Sequence, residues 1–172
     1  MIKNSLSCEA IELFNNLPKS LKYHLLTFFQ RLQSELPACC SVVLIGSSAR
    51  DELTWLYDKK KLKVIGDVEF IIFTEKYSKA RITEITNNII KEWALKDYKN
   101  FLPLELDFGI LNRMSLYFGV KGIWRFEVQK SGILVFGREN PFSATVPVTA
   151  CNIDLASVNY LIMVRLWSSH SA

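Results

Sequence analysis

Acidic residues alternating with apolar ones, in two well-separated short segments, constrain this chain most. Asp67-Val68-Glu69-Phe70-Ile71-Ile72-Phe73 reads as a β-strand. Side chains on a strand alternate between faces, so Asp67 and Glu69 point the same way, roughly 6 to 7 Å apart along the backbone. Residues 104–111, opened by Pro103, repeat the pattern: Glu105 and Asp107 share one face, while the leucines and Phe108 take the other. Two acidic pairs on solvent-facing strand edges would be ordinary singly. If the strands are neighbours, three or four carboxylates crowd one side of a sheet, and their mutual repulsion is costly unless a divalent cation is bound.

A third segment bears on the same chemistry. The apolar run 42–45 ends on Gly46-Ser47-Ser48-Ala49-Arg50, which reads as a strand (40–45) running into a short helix that continues to about Trp55. Glycine at such a turn lets a phosphate approach the backbone, and free amides at the helix start, with the Ser47 hydroxyl, can donate to it. The same Gly-Ser pair is also an ordinary strand-to-helix turn. Residues 58–63 carry Lys59, Lys60, Lys61 and Lys63, the composition of a solvated loop and also one suited to steering an anionic ligand. The second strand is expected over 64–73.

The flanking segments supply a core. Residues 9–17 and 19–36 have helical apolar spacing, the second with Leu21, Leu25, Phe28, Leu32 and Leu36, bounded by Pro18 and Pro37. His24 reads as a helix-surface or partly packed residue, because no second histidine lies nearby. A helix over 77–96 places Ile82, Ile85, Ile89 and Trp93 on one stripe. At 172 residues the chain can bury about 70% of the surface exposed when unfolded, so no staple is needed. Cys8, Cys39, Cys40 and Cys151 lack the paired spacing of a zinc site. Lys and Arg exceed Asp and Glu by 21 to 17, which permits anionic ligands without the clustered basicity of a dedicated nucleic-acid binder. No signal segment and no run of 18 apolar residues is evident, so a soluble cytoplasmic protein that does not enter a membrane is expected.

Gly46-Ser47, then Asp67-Val68-Glu69 flanked by apolar residues, then an acidic residue on a later apolar strand, resembles the nucleotidyltransferase superfamily of polymerase-beta type. The resemblance runs from about Val42 to Gly137, because Phe126-Glu127-Val128 and the segment 131–138 look like the helix and strand that follow the third carboxylate in bacterial members. It implies that the turn of Gly46, Ser47, Ser48 and Arg50 binds the phosphates of a nucleoside triphosphate such as ATP. It further implies that Asp67, Glu69 and Asp107 are catalytic residues holding two Mg2+ ions, with Mn2+ as a substitute. Glu105 rivals Asp107 for the third place. Asp107 would also take the acceptor's proton. Two departures stand out. Nineteen residues separate Ser47 from Asp67, about twice the usual number, so 51–66 reads as an insertion or long loop. Larger members also continue with a helical domain, of which this chain holds at most a first helix.

The expected fold is therefore α/β (α+β): a small mixed, twisted sheet with helices on one face and the carboxylates on the other. A nucleotidyltransferase-like domain is expected over 1–140, followed over 141–172 by a linker and a short C-terminal helix spanning 155–167, with His170 in a polar tail. The expected function is metal-dependent transfer of a nucleoside monophosphate to a hydroxyl of a small molecule or protein. A catalytically weak nucleotide-binding or regulatory module of the same fold is the alternative. Nucleic acid is disfavoured as a partner by the modest charge and the lack of an aromatic-basic track. The apolar surface of the 155–167 helix is expected either to pack into the sheet domain's own core or to be covered by a second copy, a separate subunit or a further helical domain.

Overall fold

A computed structural model describes residues 5–94, 104–112, 114–115, 122–143, 145–156, 158–159 and 162–163. Helix α1 (Cys8–Asn15) is capped by Ser7, whose Oγ accepts from the Ala10 amide at 3.1 Å. Such a cap satisfies a helix-end amide that has no partner inside the helix. Ser7 also donates from its amide to Val135 O at 2.8 Å and from its hydroxyl to Leu134 O. One residue thus starts the helix and covers a sheet edge that would otherwise offer unpaired backbone groups.

Helix α2 (Lys19–Glu35) buries Leu21, Leu25, Phe28 and Leu32, the stripe expected from spacing, together with Phe29 and His24. The sheet contains β1 (Ser41–Leu44), β4 (Asp67–Phe73), β5 (Glu105–Leu111) and β6 (Ile133–Phe136) in the order β5-β4-β1-β6. Strand β1 is antiparallel to β4 and β6, whereas β4 and β5 are parallel. A parallel pair needs a crossover, and helix α4 (Lys79–Ala94) lies in the connection between them. The fold is mixed, in the α+β class, as the sequence implied.

Alternation along the strands divides the interior in two. Val42, Leu44, Val68, Phe70 and Ile72 join Phe28, Phe29, Leu32 and Trp93 in the larger core, so α1, α2 and α4 cover one face as expected. Phe28 meets Phe70 and Trp93 edge-on, with ring centroids 5.7 and 5.6 Å apart, an arrangement favoured by the ring quadrupoles. His24 packs edge-on against Trp93 and is more buried than a surface position would be. On the opposite face, Val43, Ile45 and Ile71 pack with Val128 of helix α5 (Ile123–Ser131) and with Phe142. Helix α5 therefore shares its face with the acidic positions of β4 and β5.

Several local expectations are corrected. The helix after β1 is one turn only, α3 (Gly46–Ala49), and does not reach Trp55. Residues 51–66 hold a hairpin rather than a long loop, β2 (Thr54–Asp58) paired with β3 (Lys61–Ile65), and it docks through the buried Leu62 and Val64. The strand expected over 64–73 is broken at Gly66, whose φ of 95° ends β3 before β4 begins. The segment after Gly137 is also more than a linker. Phe142 is buried in the second core, and Gln129 of α5 donates to Thr145 Oγ1 and Val146 O while accepting from the Val148 amide. These contacts tether residues 142–148 to α5 and the second core. Residues 155–156, 158–159 and 162–163 are helical, with Leu155, Ile162 and Met163 exposed, while the other positions of the helix expected over 155–167, and His170, lie outside the described residues. A 3-10 turn, Ala150–Asn152, precedes this helix.

Candidate metal centre and phosphate turn

The register of the parallel pair decides which acidic residues meet. Glu69 lies opposite Asp107 and Asp67 opposite Glu105. Asp67, Glu69 and Asp107 each present a carboxylate oxygen, and the three oxygens lie within 4.8 Å of one another. Glu105 and Asp107 are both exposed, but Glu105 stands outside that group, so the geometry favours Asp107 as the third member. Asp107 Oδ1 accepts from the Phe108 amide at 2.8 Å, which fixes the carboxylate's orientation.

Gly46 closes the site from the side of β1. The Ile45 amide donates to Glu69 O at 3.0 Å, tying the start of α3 to the strand that carries the acids. Gly46 follows with φ of 66°, a left-handed conformation that costs an L-residue roughly 1–2 kcal/mol and glycine nothing comparable. A Cβ at this position would collide with Glu69 Oε2 and approach Cδ to 3.2 Å. Position 46 therefore lacks a side chain because the Glu69 carboxylate occupies that space.

The turn residues do not all face the site. Ser47 makes no side-chain hydrogen bond among the described residues; its carbonyl accepts from the amides of Arg50 and Glu52. Ser48, by contrast, is buried and donates its hydroxyl to Ile45 O at 2.9 Å. Arg50 is held by Glu52 through Nε at 2.8 Å, yet its charge still acts on Glu69. Burial, followed by the charges of Asp67 and Asp107, raises the Glu69 carboxyl above its ordinary range; Arg50 opposes the rise and Glu127 of α5 adds to it. Sequence reasoning placed Glu127 on a helix without linking it to the carboxylates. Its only signal was the short Phe126-Glu127-Val128 stretch, since the approach of α5 to this face depends on Val128 packing against β1 and β4.

The donor set fits a hard divalent cation. Three carboxylates supply oxygen ligands of the type that Mg2+ and Mn2+ take, and the cation acting on Glu69 among the described residues, Arg50, is partly committed to Glu52. The four cysteines are free, with Cys40 buried and its thiol pushed up to about 11 mainly by desolvation, and none belongs to the acidic group. Among the described residues, no helix is long and apolar enough to cross a membrane. No protein-family model and no curated protein matches the chain.

Proposed function

We propose that the chain is a metal-dependent nucleotidyltransferase, acting in the cytoplasm, that moves a nucleoside monophosphate from a nucleoside triphosphate to a hydroxyl of a small molecule or protein. The observation that carries this reading is the convergence of Asp67, Glu69 and Asp107 beside a left-handed Gly46 shaped around one of them. Bound Mg2+, as two ions, would neutralise phosphate charge and acidify the attacking hydroxyl. Asp67, Glu69 and Asp107 would hold it. Gly46 gives the phosphates access to the backbone, and the Ser47 hydroxyl, uncommitted within the described residues, donates to them. Asp107, oriented by the Phe108 amide, accepts the proton of the acceptor hydroxyl.

One observation favours a second reading, a regulatory module with weak turnover. Ser48 is turned inward and Arg50 is paired with Glu52, so two of the four residues assigned to the phosphates are engaged elsewhere. Pyrophosphate release over a panel of hydroxyl acceptors, with product masses recorded, separates the two. Release with an adduct of one nucleoside monophosphate supports transfer. Binding of the Mg2+–nucleotide without release on any acceptor supports the module.

A further inference from the structure

The β2–β3 hairpin is an exposed ribbon whose composition does not suit an idle connection. All five residues of β2 are solvent-exposed, and β3 alternates, turning only Leu62 and Val64 into the core. In the register of the pair, Trp55 lies opposite Val64 and Tyr57 opposite Leu62, so both aromatics share the inward face. Yet both remain accessible, Trp55 36% and Tyr57 67% exposed. The other face carries Leu56, Lys61, Lys63 and Ile65, all exposed. Around the tip, Lys59, Lys60, Lys61 and Lys63 face a single acid, Asp58.

The turn itself gives an independent sign. Asp58 pairs with Lys61, leaving Lys59 and Lys60 as a two-residue loop with φ of 47° and 70°. Both central residues are therefore left-handed, a geometry for which Asn-Gly is the low-strain choice and lysine is not. The tip thus carries two lysines in a turn that a neutral Asn-Gly pair would form with less strain.

We infer that this hairpin is a grip for single-stranded nucleic acid. Exposed aromatic faces stack unpaired bases without regard to sequence, and ammonium groups on flexible stems meet the phosphates that link them. A duplex hides its base faces and would use the lysines alone. A membrane is a poorer fit, because the hairpin would enter lipid with its lysines first and its apolar residues behind. An acidic polypeptide would satisfy the charges and leave Trp55 and Tyr57 unused. The grip extends beyond the transferase reading and does not depend on it. It also revises the expectation from composition, in which no aromatic-basic track was recognised.

Binding of a fluorescein-labelled oligothymidylate, followed by anisotropy in EDTA across a salt series, tests the grip while the carboxylate site is silent. Tyr57→Ala should weaken binding by on the order of tenfold, the effect of losing one stacking platform, and Tyr57→Phe should retain it. Lys59→Asn with Lys60→Gly removes two charges while relaxing the turn. Its melting temperature should hold or rise, and the slope of log affinity against log salt should flatten by about 1.4, at ~0.7 per charge for a single strand. Lys63→Gln, at an exposed strand position, should flatten it by about half as much and provides the charge test without altering the turn. A duplex of the same length should bind more weakly than the single strand. Absence of oligothymidylate binding at low salt, or wild-type affinity and slope in all of these lysine and alanine variants, would overturn the grip. So would a response to the same substitutions confined to anionic vesicles or polyglutamate. Pyrophosphate release does not enter this measurement, so failure of the grip and failure of the transferase reading are read from different assays.

Discussion

Gly46 and Glu69 share one volume: the side chain that position 46 lacks would fall on the Glu69 carboxylate. Gly46→Ala should therefore impose two effects, backbone strain of about 1–2 kcal/mol at a left-handed residue and displacement of Glu69 from the carboxylate group. Gly66 provides the comparison, because it too has positive φ but has nothing within 4 Å of its would-be Cβ. Gly66→Ala should lower stability by a similar amount and leave Mn2+ affinity intact, whereas Gly46→Ala should lower both. Melting curves paired with Mn2+ titration by electron paramagnetic resonance check this, and equal Mn2+ affinity in the two variants would sink the proposed cradle.

The acidic strands were legible in the sequence because alternation with apolar residues is a period-2 signal that survives without any knowledge of partners. Their register was not, and Glu105 and Asp107 were separated only when β5 was paired with β4. The hairpin was missed for a different reason: β2 buries nothing, β3 buries only Leu62 and Val64, and the Lys59-Lys60 turn lacks the glycine or asparagine that marks such turns. Apolar residues on both sides of Gly66 similarly made two strands look like one. Polar and proline-rich composition after Gly137 disguised a segment tethered by Phe142 in the second core and by side-chain hydrogen bonds from Gln129, Arg125 and Asn140.

The raised Glu69 carboxyl sets a pH dependence for the metal-free protein. Just above the ordinary value of 4.5, folded Glu69 keeps a proton that the unfolded chain has released. Stability should therefore fall as pH rises through that window and level off once Glu69 is ionised in the folded state as well. Glu69→Gln should remove most of this fall. In metal-free buffer at neutral pH, Asp67→Asn and Glu69→Gln should each raise the melting temperature by relieving repulsion, the reverse of an ordinary substitution. Mg2+ should stabilise the wild type more as pH rises and these variants less. For transfer itself, each should cost at least on the order of 10²-fold, as when a strong electrostatic stabiliser is removed. Wild-type turnover in both would refute the carboxylate assignment.

Ser47 and Ser48 are adjacent and should behave oppositely. Ser47→Ala should weaken triphosphate binding by about 0.5–3 kcal/mol, the range for a hydrogen bond and larger when the acceptor is charged, with little change in stability or monophosphate binding. Ser48→Ala deletes a buried hydroxyl that donates to Ile45 O, so it should lower stability by about 1 kcal/mol and weaken both nucleotides only as far as the turn loosens. Calorimetric titrations of both ligands into both variants distinguish the roles. Equal weakening by Ser47→Ala would reduce that residue to supporting the turn.

The segment after β6 should prove part of the folded unit. Phe142 is 2% exposed and packs with Val43, Ile45, Ile71 and Val128, while Trp124 meets it edge-on at 6.2 Å. Phe142→Ala should then cost about 3–5 kcal/mol, the range for emptying a core aromatic site. Gln129→Ala, which strands the Val148 amide and takes a donor from Thr145 Oγ1 while Val146 O keeps Arg125, should cost about 1–3 kcal/mol. Ending the chain after residue 140 removes both tethers and opens the carboxylate face beside Ile45, so that protein should lose cooperative unfolding and Mn2+ affinity together. Ending it after Ala150 keeps both tethers and should preserve them. Denaturant melts of the two shortened chains decide the boundary, and a cooperative, Mn2+-binding protein ending at residue 140 would return 141–148 to the status of a linker.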